Sequence, residues 1–279
     1  MPKRIVDDST QIISKVVHEK IGYNHSAKKI DKTASFSYHT HDRCEIIFIM
    51  KGDMRYEAEG KSYDLTVGDL IFTPPSVFHA VLPKSATLYE RYDIILDEKM
   101  INKGILDRIP KDQGVFKCGA NERIFDLFSK LDFYYDKYTE EEYGNLAFNI
   151  AEEVIYNLVL MDTYSQLGVV NPLIDKAIAY INRNLVNIQS VEEISDSLYI
   201  TKSHLHHLFA KYLRMTPAKY ILSKRLLKSQ KMIYRGAKPT EVFSECGFND
   251  YATFFRNYKK YFGYSPSNTD AVEITREIL

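Results

Sequence analysis

The chain is poor in cysteine. Cys44, Cys118 and Cys246 are odd in number and widely spaced. There is no CxxC pair, so neither a thiolate zinc site nor a disulfide framework is implied. A reducing compartment is the simple expectation. No run of about 18 apolar residues occurs, so no membrane span is expected. The opening MPKRIVDD has no apolar signal-peptide core. No low-complexity tract is present. Together these absences predict a cytoplasmic protein. Net charge is absent too: 37 basic and 37 acidic residues cancel, so overall charge names no partner.

What is present is ordinary for a globular chain. At 279 residues there is room for two domains and a small third element. The 45% hydrophobic and 27% charged composition excludes a collagenous or disordered chain. The charge is unevenly placed: residues 1–170 sum to −6 and residues 171–279 to +6. The basic part is therefore the one expected to meet a polyanion.

Residues 36–96 read as strands. FSYHT, CEIIFIM, DMRYEAEG, KSYDLTV, DLIFTPP and FHAVL are short and rich in β-branched and aromatic residues. Gly52-Asp53, Gly60-Lys61 and Gly68-Asp69 punctuate them regularly, which predicts an antiparallel sandwich or barrel. From about Asn121 the apolar period becomes helical, giving helices over 121–137 and 141–163. Leu146, Ile150, Val154, Leu158 and Met161 fit a seam with a partner helix and equally well packing against the chain's own barrel. Ser165 to Gly168 reads as a linker. Asn171-Pro172 then opens a helix, with Asn as N-cap and Pro at the first position.

Two helix-turn-helix units follow. In 190–212, Ser190-Val-Glu-Glu193 is a capping box that opens a helix. Tyr199-Ile200-Thr201 turns the chain, and Leu205, Leu208, Phe209 and Tyr212 give the next helix one apolar face. Lys202, Ser203, His206, His207 and Lys211 are left outward. In 239–261 the syntax recurs about 48 residues later. Gly247 to Asp250 makes the turn, Phe254 and Tyr258 are buried, and Tyr251, Phe255, Arg256, Lys259 and Lys260 face out. A helix over 217–235 joins them. Its length of about 28 Å suits two readers in successive major grooves. Lys224, Arg225, Lys228 and Lys231 give it basic character. One such unit alone is often a piece of helical core; two in the basic half of a neutral chain point to double-stranded DNA.

The segment from Ile174 to about Asn268 resembles the AraC/XylS-type DNA-binding domain. AIAYINRNL, VEEISDSLYITKSHLHHLFAKYL, TPAKYILSKRLLKSQKMI and ECGFNDYATFFRNYKKYFGYSPS carry the resemblance. Arg214 departs from it, standing where the family often has Gly after the first reading helix. Ala210 stands where a basic residue is usual. By position, the resemblance assigns base contacts to Ser203, His206 and His207, and to Tyr251, Ala252, Phe255 and Arg256. Arg256 is suited to a bidentate guanine contact. Lys202, Lys211, Lys259 and Lys260 are phosphate contacts on this reading. An ordinary solvent-facing surface is the alternative for His206 and His207.

His39-x-His41-x3-Glu45-x6-Gly52, then Gly68-x5-Pro74 and His79, is similar to the two cupin signatures. Ser76 replaces a usual Gly and Pro83 the terminal Asn. Alternation puts His39 and His41 on one face of a strand. Three imidazoles and a carboxylate can hold zinc, iron, manganese or nickel. Sensor domains of AraC-type regulators often carry such histidines as effector contacts. The set Tyr38, His39, His41, Glu45, Phe72 and His79 is therefore the expected effector site. His39, His41, Glu45 and His79 are the overlapping metal candidates, and no cofactor is required. Phe78 is read as lining the pocket or packing the core.

The expected protein is α+β. It comprises a cupin-like effector domain over 1–118, a helical segment over 119–165 that is the candidate for dimerisation, and an all-α, seven-helix double helix-turn-helix domain over 170–268. The resemblance implies a non-enzymatic, effector-controlled transcriptional regulator, with activation the commoner outcome and a sugar a typical effector. It also implies a homodimer, with RNA polymerase a further candidate partner. A metal-dependent cupin enzyme with an accessory helical domain is the alternative. A third reading is a DNA-binding module with a purely structural barrel.

Overall fold

The computed structural model describes residues 4–7, 10–32, 38–109, 114–119, 121–161 and 171–268. The described residues hold ten strands: β1 (Arg4–Asp7), β2 (Thr10–Val17), β3 (Ile21–Ile30), β4 (Cys44–Lys51), β5 (Met54–Ala58), β6 (Lys61–Asp64), β7 (Asp69–Thr73), β8 (His79–Pro83), β9 (Thr87–Leu96) and β10 (Val115–Lys117). They form a seven-stranded sheet ordered β1-β2-β3-β9-β4-β7-β10 and a three-stranded sheet ordered β6-β5-β8. The pairings are antiparallel.

The strands expected over 44–82 form. Residues 38–40 of FSYHT do not make a strand; they contribute one bridge, between His39 and His79. Phe36 and Ser37, the linker 165–168 and the tail 269–279 lie outside the described residues. The reading named no strand before Phe36 and did not single out β9 or β10. Yet β3 and β9 pair over ten residues at the centre of the large sheet.

Alternation sorts each strand's side chains between two cores. In β4, Cys44, Ile46 and Phe48 face helices, while Ile47 and Ile49 face the space between the sheets. That inner space is filled by Met54, Tyr56, Tyr63, Ile71, Val81, Tyr89 and Val115. Glu45 lies on the inner side too, a buried carboxylate in an otherwise apolar run.

The outer face of the large sheet is covered by α2 (Glu122–Tyr134) and α3 (Glu140–Leu158); a short α1 (Lys103–Leu106) precedes them. A Thr139–Glu142 capping box starts α3, worth about 1 kcal/mol. Ile150, Val154 and Leu158 are buried in the domain's own core, with Leu146 and Met161 packed against it. Of the two uses open to that apolar set, it serves its own barrel. Asp132 pins α2 to the sheet. Its carboxylate accepts from Ser14 Oγ (2.5 Å), Tyr92 Oη (2.7 Å), His25 Nδ1 (2.8 Å) and Tyr23 Oη (3.1 Å). Burial alone would raise this carboxyl, but the His25, Ser14 and Tyr92 hydrogen bonds win and hold it below its ordinary value.

The last part is helical: α4 (Pro172–Asn184), α5 (Val191–Ser197), α6 (Lys202–Leu213), α7 (Pro217–Tyr234), α8 (Pro239–Glu245) and α9 (Tyr251–Phe262). The described residues 171–268 thus hold six helices rather than seven. Asn171, Ser190, Thr201, Thr216 and Asp250 each cap a helix through a side-chain oxygen. One core joins α4, α5, α6 and the start of α7. A second joins the end of α7, α8 and α9. Among the described residues no helix is long and apolar enough to cross a membrane.

Candidate functional site

Each helix-turn-helix unit buries one face of its second helix. In α6 Leu205, Leu208, Phe209 and Leu213 are buried. Lys202, Ser203, His207 and Lys211 are exposed, and His206 is half-buried. In α9 Phe254 and Tyr258 are buried. Ala252, Arg256, Lys259 and Lys260 are exposed, while Tyr251 and Phe255 are half-buried with their rings 6.2 Å apart. Arg256 is steadied by a 3.2 Å hydrogen bond to Thr253 Oγ1. Lys202 pairs with Glu192 at 2.5 Å. His204 is also exposed on the first turn of α6 and was missed. The i, i+3, i+7 series His204, His207, Lys211 would have found it.

The connecting helix forms as expected, and the structure shows where its basic side chains go. It is an 18-residue helix, about 27 Å long, but its basic residues are engaged within the chain. Arg225 donates to the carbonyls of Ile188 (2.5 Å), Leu185 (3.0 Å) and Val186 (3.5 Å). Lys228 donates to Glu245 O at 3.1 Å. Lys224 sits 2.5 Å from both Glu59 Oε1 and Ser76 O, and Lys231 pairs with Glu98. The helix is basic because it holds loops and the N-terminal domain.

In the barrel, His39, His41, Glu45 and His79 converge, with one ligand atom from each lying within 4.8 Å of the others. Glu45 comes from β4 and His79 from β8, while the His39–His79 backbone bridge brings the His39–His41 segment alongside. Glu45 and His79 are buried, His41 is half-buried and His39 lies exposed at the rim. The tautomers of two rings follow from their hydrogen bonds. His41 Nδ1 donates to Arg43 O at 2.8 Å and His79 Nδ1 to Val77 O at 3.0 Å. Their Nε2 atoms then face Glu45 Oε2, at 3.7 and 2.8 Å. All three atoms are buried and lack a hydrogen bond of good geometry. Three acceptors aimed at one another need a cation between them, a proton or a metal.

The electrostatics agree. Burial would raise the Glu45 carboxyl, but the His41 and His79 imidazoles facing it, once protonated, hold it well below its ordinary value. Burial would lower His41, but the Glu45 bond and charge and the Arg43 carbonyl raise it. Nearby, burial and then the Glu45 charge push Asp93 up to about 6, against the pull of Arg91. A soft, thiolate-seeking ion finds no sulfur in this set; a borderline divalent cation finds a suitable one.

Two of the expected effector contacts lie elsewhere. Phe72 faces the opposite side of β7, packed in the core under α2 and α3, because it alternates with the inward Ile71 and Thr73. Tyr38 alternates with His39 in the same way. Its hydroxyl donates to Glu57, which lies between the inward Tyr56 and Ala58 on β5, and it feels the charge of Arg214 in the helical domain. Phe78 neither lines the barrel nor packs it. It is 3% exposed and sits in the core of the first helix-turn-helix unit.

Comparison with known proteins gives two family matches. Residues 194–271 match a family described as a helix-turn-helix domain, and residues 29–87 one described as a cupin domain. The lactose operon transcription activator of Staphylococcus xylosus is 24% identical over 83% of this chain and 85% of its own length. The Msm operon regulatory protein of Streptococcus mutans is 24% identical over 88% and 90%. The XylDLEGF operon transcriptional activator of Pseudomonas putida is 23% identical over 90% and 79%. Among solved structures, ToxT from Vibrio cholerae O395 is 12% identical over 94% of this chain and 100% of that one, with a TM-score of 0.39.

Proposed function

We infer that this chain is a DNA-binding transcriptional regulator of the AraC/XylS type, and from that premise we propose that it is an effector-controlled activator. It works in the cytoplasm as a homodimer on promoter DNA, through contact with RNA polymerase. The observation that carries the reading is the pair of reading helices, α6 and α9, with polar and basic faces left open on two cores that share one connecting helix. Relatives named as activators support the sign of control, and the lactose operon activator supports a sugar as the effector class. Those relatives are named as regulators, and we read the barrel as a sensor rather than an active site.

The effector site is the inner face of the barrel around His39, His41, Glu45 and His79, with Arg91 and Asp93 beside them. The same four residues would hold a divalent cation. Bound there, the cation would supply Lewis acidity toward a hydroxyl or carboxylate of the effector. The chain's own part is to fix the two Nε2 atoms through the Arg43 and Val77 carbonyls. Dimerisation falls to the helical segment α2–α3, where Phe133, Tyr156 and Leu160 are exposed.

The test uses genomic fragments retained by the full chain at fixed salt. Arg256→Ala should cost about 1–3 kcal/mol of specific binding, roughly 5- to 150-fold, with non-specific binding unchanged. Unchanged affinity and selectivity in the variant would remove α9 from sequence reading.

A further inference from the structure

The barrel cluster and the DNA-binding domain share a single short stretch of backbone. Where the Ser76–His79 stretch leads into β8, Phe78 and His79 point to opposite sides. His79 turns inward to Glu45 at 2.8 Å. Phe78 turns outward into the helical domain, among Ile174, Ile178 and Tyr220. Its ring lies 5.1 Å from the Tyr220 ring, which lies 5.6 Å from Phe209 of the reading helix α6.

The polar contacts follow the same route. Ser76 N–H donates to His41 O at 2.7 Å, and Ser76 O accepts from Lys224 of α7 at 2.5 Å. Phe78 O accepts from Glu59 N–H at 2.9 Å. The Glu59 carboxylate in turn accepts from Tyr220 Oη (2.8 Å) and Lys224 Nζ (2.5 Å). Lys224 is 8% exposed, so this is a largely desolvated contact. Gly60 completes it: a Cβ there would meet Ile174 of α4 at 2.9 Å.

The backbone gives a second, independent sign. Glu59 and Ser76 have φ of +44° and +66°. Glu59-Gly60 is the two-residue loop between β5 and β6, with positive φ at both positions, where Asn-Gly is the favoured pair. Ser76 stands where a cupin signature has Gly. Two side-chain-bearing residues hold left-handed backbone, and both grip Lys224. Strained positions of this kind persist where the contact they make is used.

We propose that a divalent cation in the His39, His41, Glu45, His79 cluster is a regulatory ligand in its own right, read by the DNA-binding domain through the Ser76–His79 strap and Glu59. The proposal rests on the reading of those four residues as a ligand site. Drawing His79 and the His39–His41 segment onto a cation moves the backbone that carries Phe78 and Ser76. Both press on α7 and its neighbours, so the change falls on the helix that spaces α6 from α9. A cation then shifts DNA affinity because it binds the two arrangements of α7 unequally.

The test titrates zinc chloride, then manganese and nickel salts, into the full chain purified without a metal-affinity tag. Elemental analysis gives the metal content, and retention of the chain's genomic fragment gives DNA affinity. Glu59→Asn is the separating variant, since Asn suits the turn and loses the Lys224 charge contact. Lys224→Met is the second, and the melting temperature of each checks its fold. The expected result is about one ion per chain in all three proteins. DNA affinity shifts about tenfold with metal in the wild type and less than about twofold in both variants. Equal metal uptake with an equal DNA response in all three would overturn the relay and leave the ligand site standing. A wild type that takes up none of the three ions would overturn the site reading, and the relay with it.

Discussion

The two helix-turn-helix units share a layout and differ where the chain enters left-handed backbone. The second unit has glycine at both places: Gly247 in the turn (φ +84°) and Gly263 after α9 (φ +83°). The first has Tyr199 (φ +55°) and Arg214 (φ +54°) at the corresponding places. A side chain in that region costs about 1–2 kcal/mol. Tyr199 is 96% exposed, so packing does not offset it. The first unit is therefore strained and the second relaxed. The strained unit is also the one entered by Phe78, while the second keeps a separate core along the far half of α7. A unit held near its limit responds to a small push at its core. On the proposed relay, the push from the barrel falls on the core beside α6 and leaves the core of α9 apart.

The sharpest way to break this contrast is to strain the relaxed unit. A Cβ at Gly247 would meet Val186 O at 2.5 Å and the Arg225 guanidinium at 2.9 Å. Arg225 cannot retreat without giving up its three carbonyl bonds to the α4–α5 connection. Gly247→Ala should therefore destabilise the helical domain by about 2–3 kcal/mol, read from denaturant midpoints. It should also weaken binding through Arg256. A loss under about 0.5 kcal/mol, the range of an ordinary surface change, would show that the turn has more room than the contacts imply.

The contrast was partly legible in the sequence. Asp250, Thr201 and Ser190 announced their helices because a capping oxygen must precede an apolar 3.6-residue period. Arg214 stood out where glycine was expected, and the structure places it in the backbone state that favours glycine. The metal-like cluster was legible because His-x-His alternation and a carboxylate opening an apolar strand are local patterns. What was not legible depends on the other domain. Phe78 looked like a barrel residue because the sequence gives its alternation but not what covers its outward side. Lys224 and Lys231 read only as general basic character, because an unpaired cation and one paired across domains look alike in sequence. Strands β2 and β3 were missed because their polar residues, such as Ser14, Asn24, His25 and Ser26, dilute the apolar signal. The carboxylate that Ser14 and His25 bond, Asp132, lies about a hundred residues away.

Relieving the strain sharpens the contrast from the other side. Arg214→Gly should stabilise the first unit by about 1 kcal/mol, since the left-handed cap no longer carries a Cβ. Tyr199→Gly should do the same in the turn. If strain is what makes this unit responsive, the double variant should be more stable and less sensitive to any ligand of the barrel. Hydrogen exchange of α6 amides, with and without zinc, separates the two effects. A stabilised α6 that still responds in full would mean that the strap acts without drawing on strain.

The smallest difference concerns acid. The cap of α9 is a carboxylate, Asp250, accepting from Thr253 N–H at 2.7 Å; the cap of α6 is a hydroxyl, Thr201. Hydrogen bonds from the Thr253 backbone and then its side chain hold the Asp250 carboxyl below its ordinary value. A depressed carboxyl stabilises the fold above its unfolded pKa, about 3.9, and that contribution is lost as pH falls through the folded value. Thr201 has no such dependence. As pH drops below about 4, the first turn of α9 should fray before that of α6, visible as faster exchange of the Thr253 amide relative to His204. Simultaneous fraying of the two caps at the top of that window would mean that acid acts elsewhere, with Asp132, which pins α2 to the sheet, the next carboxylate to examine. In that event the two units would differ in strain but not in the chemistry that starts their reading helices.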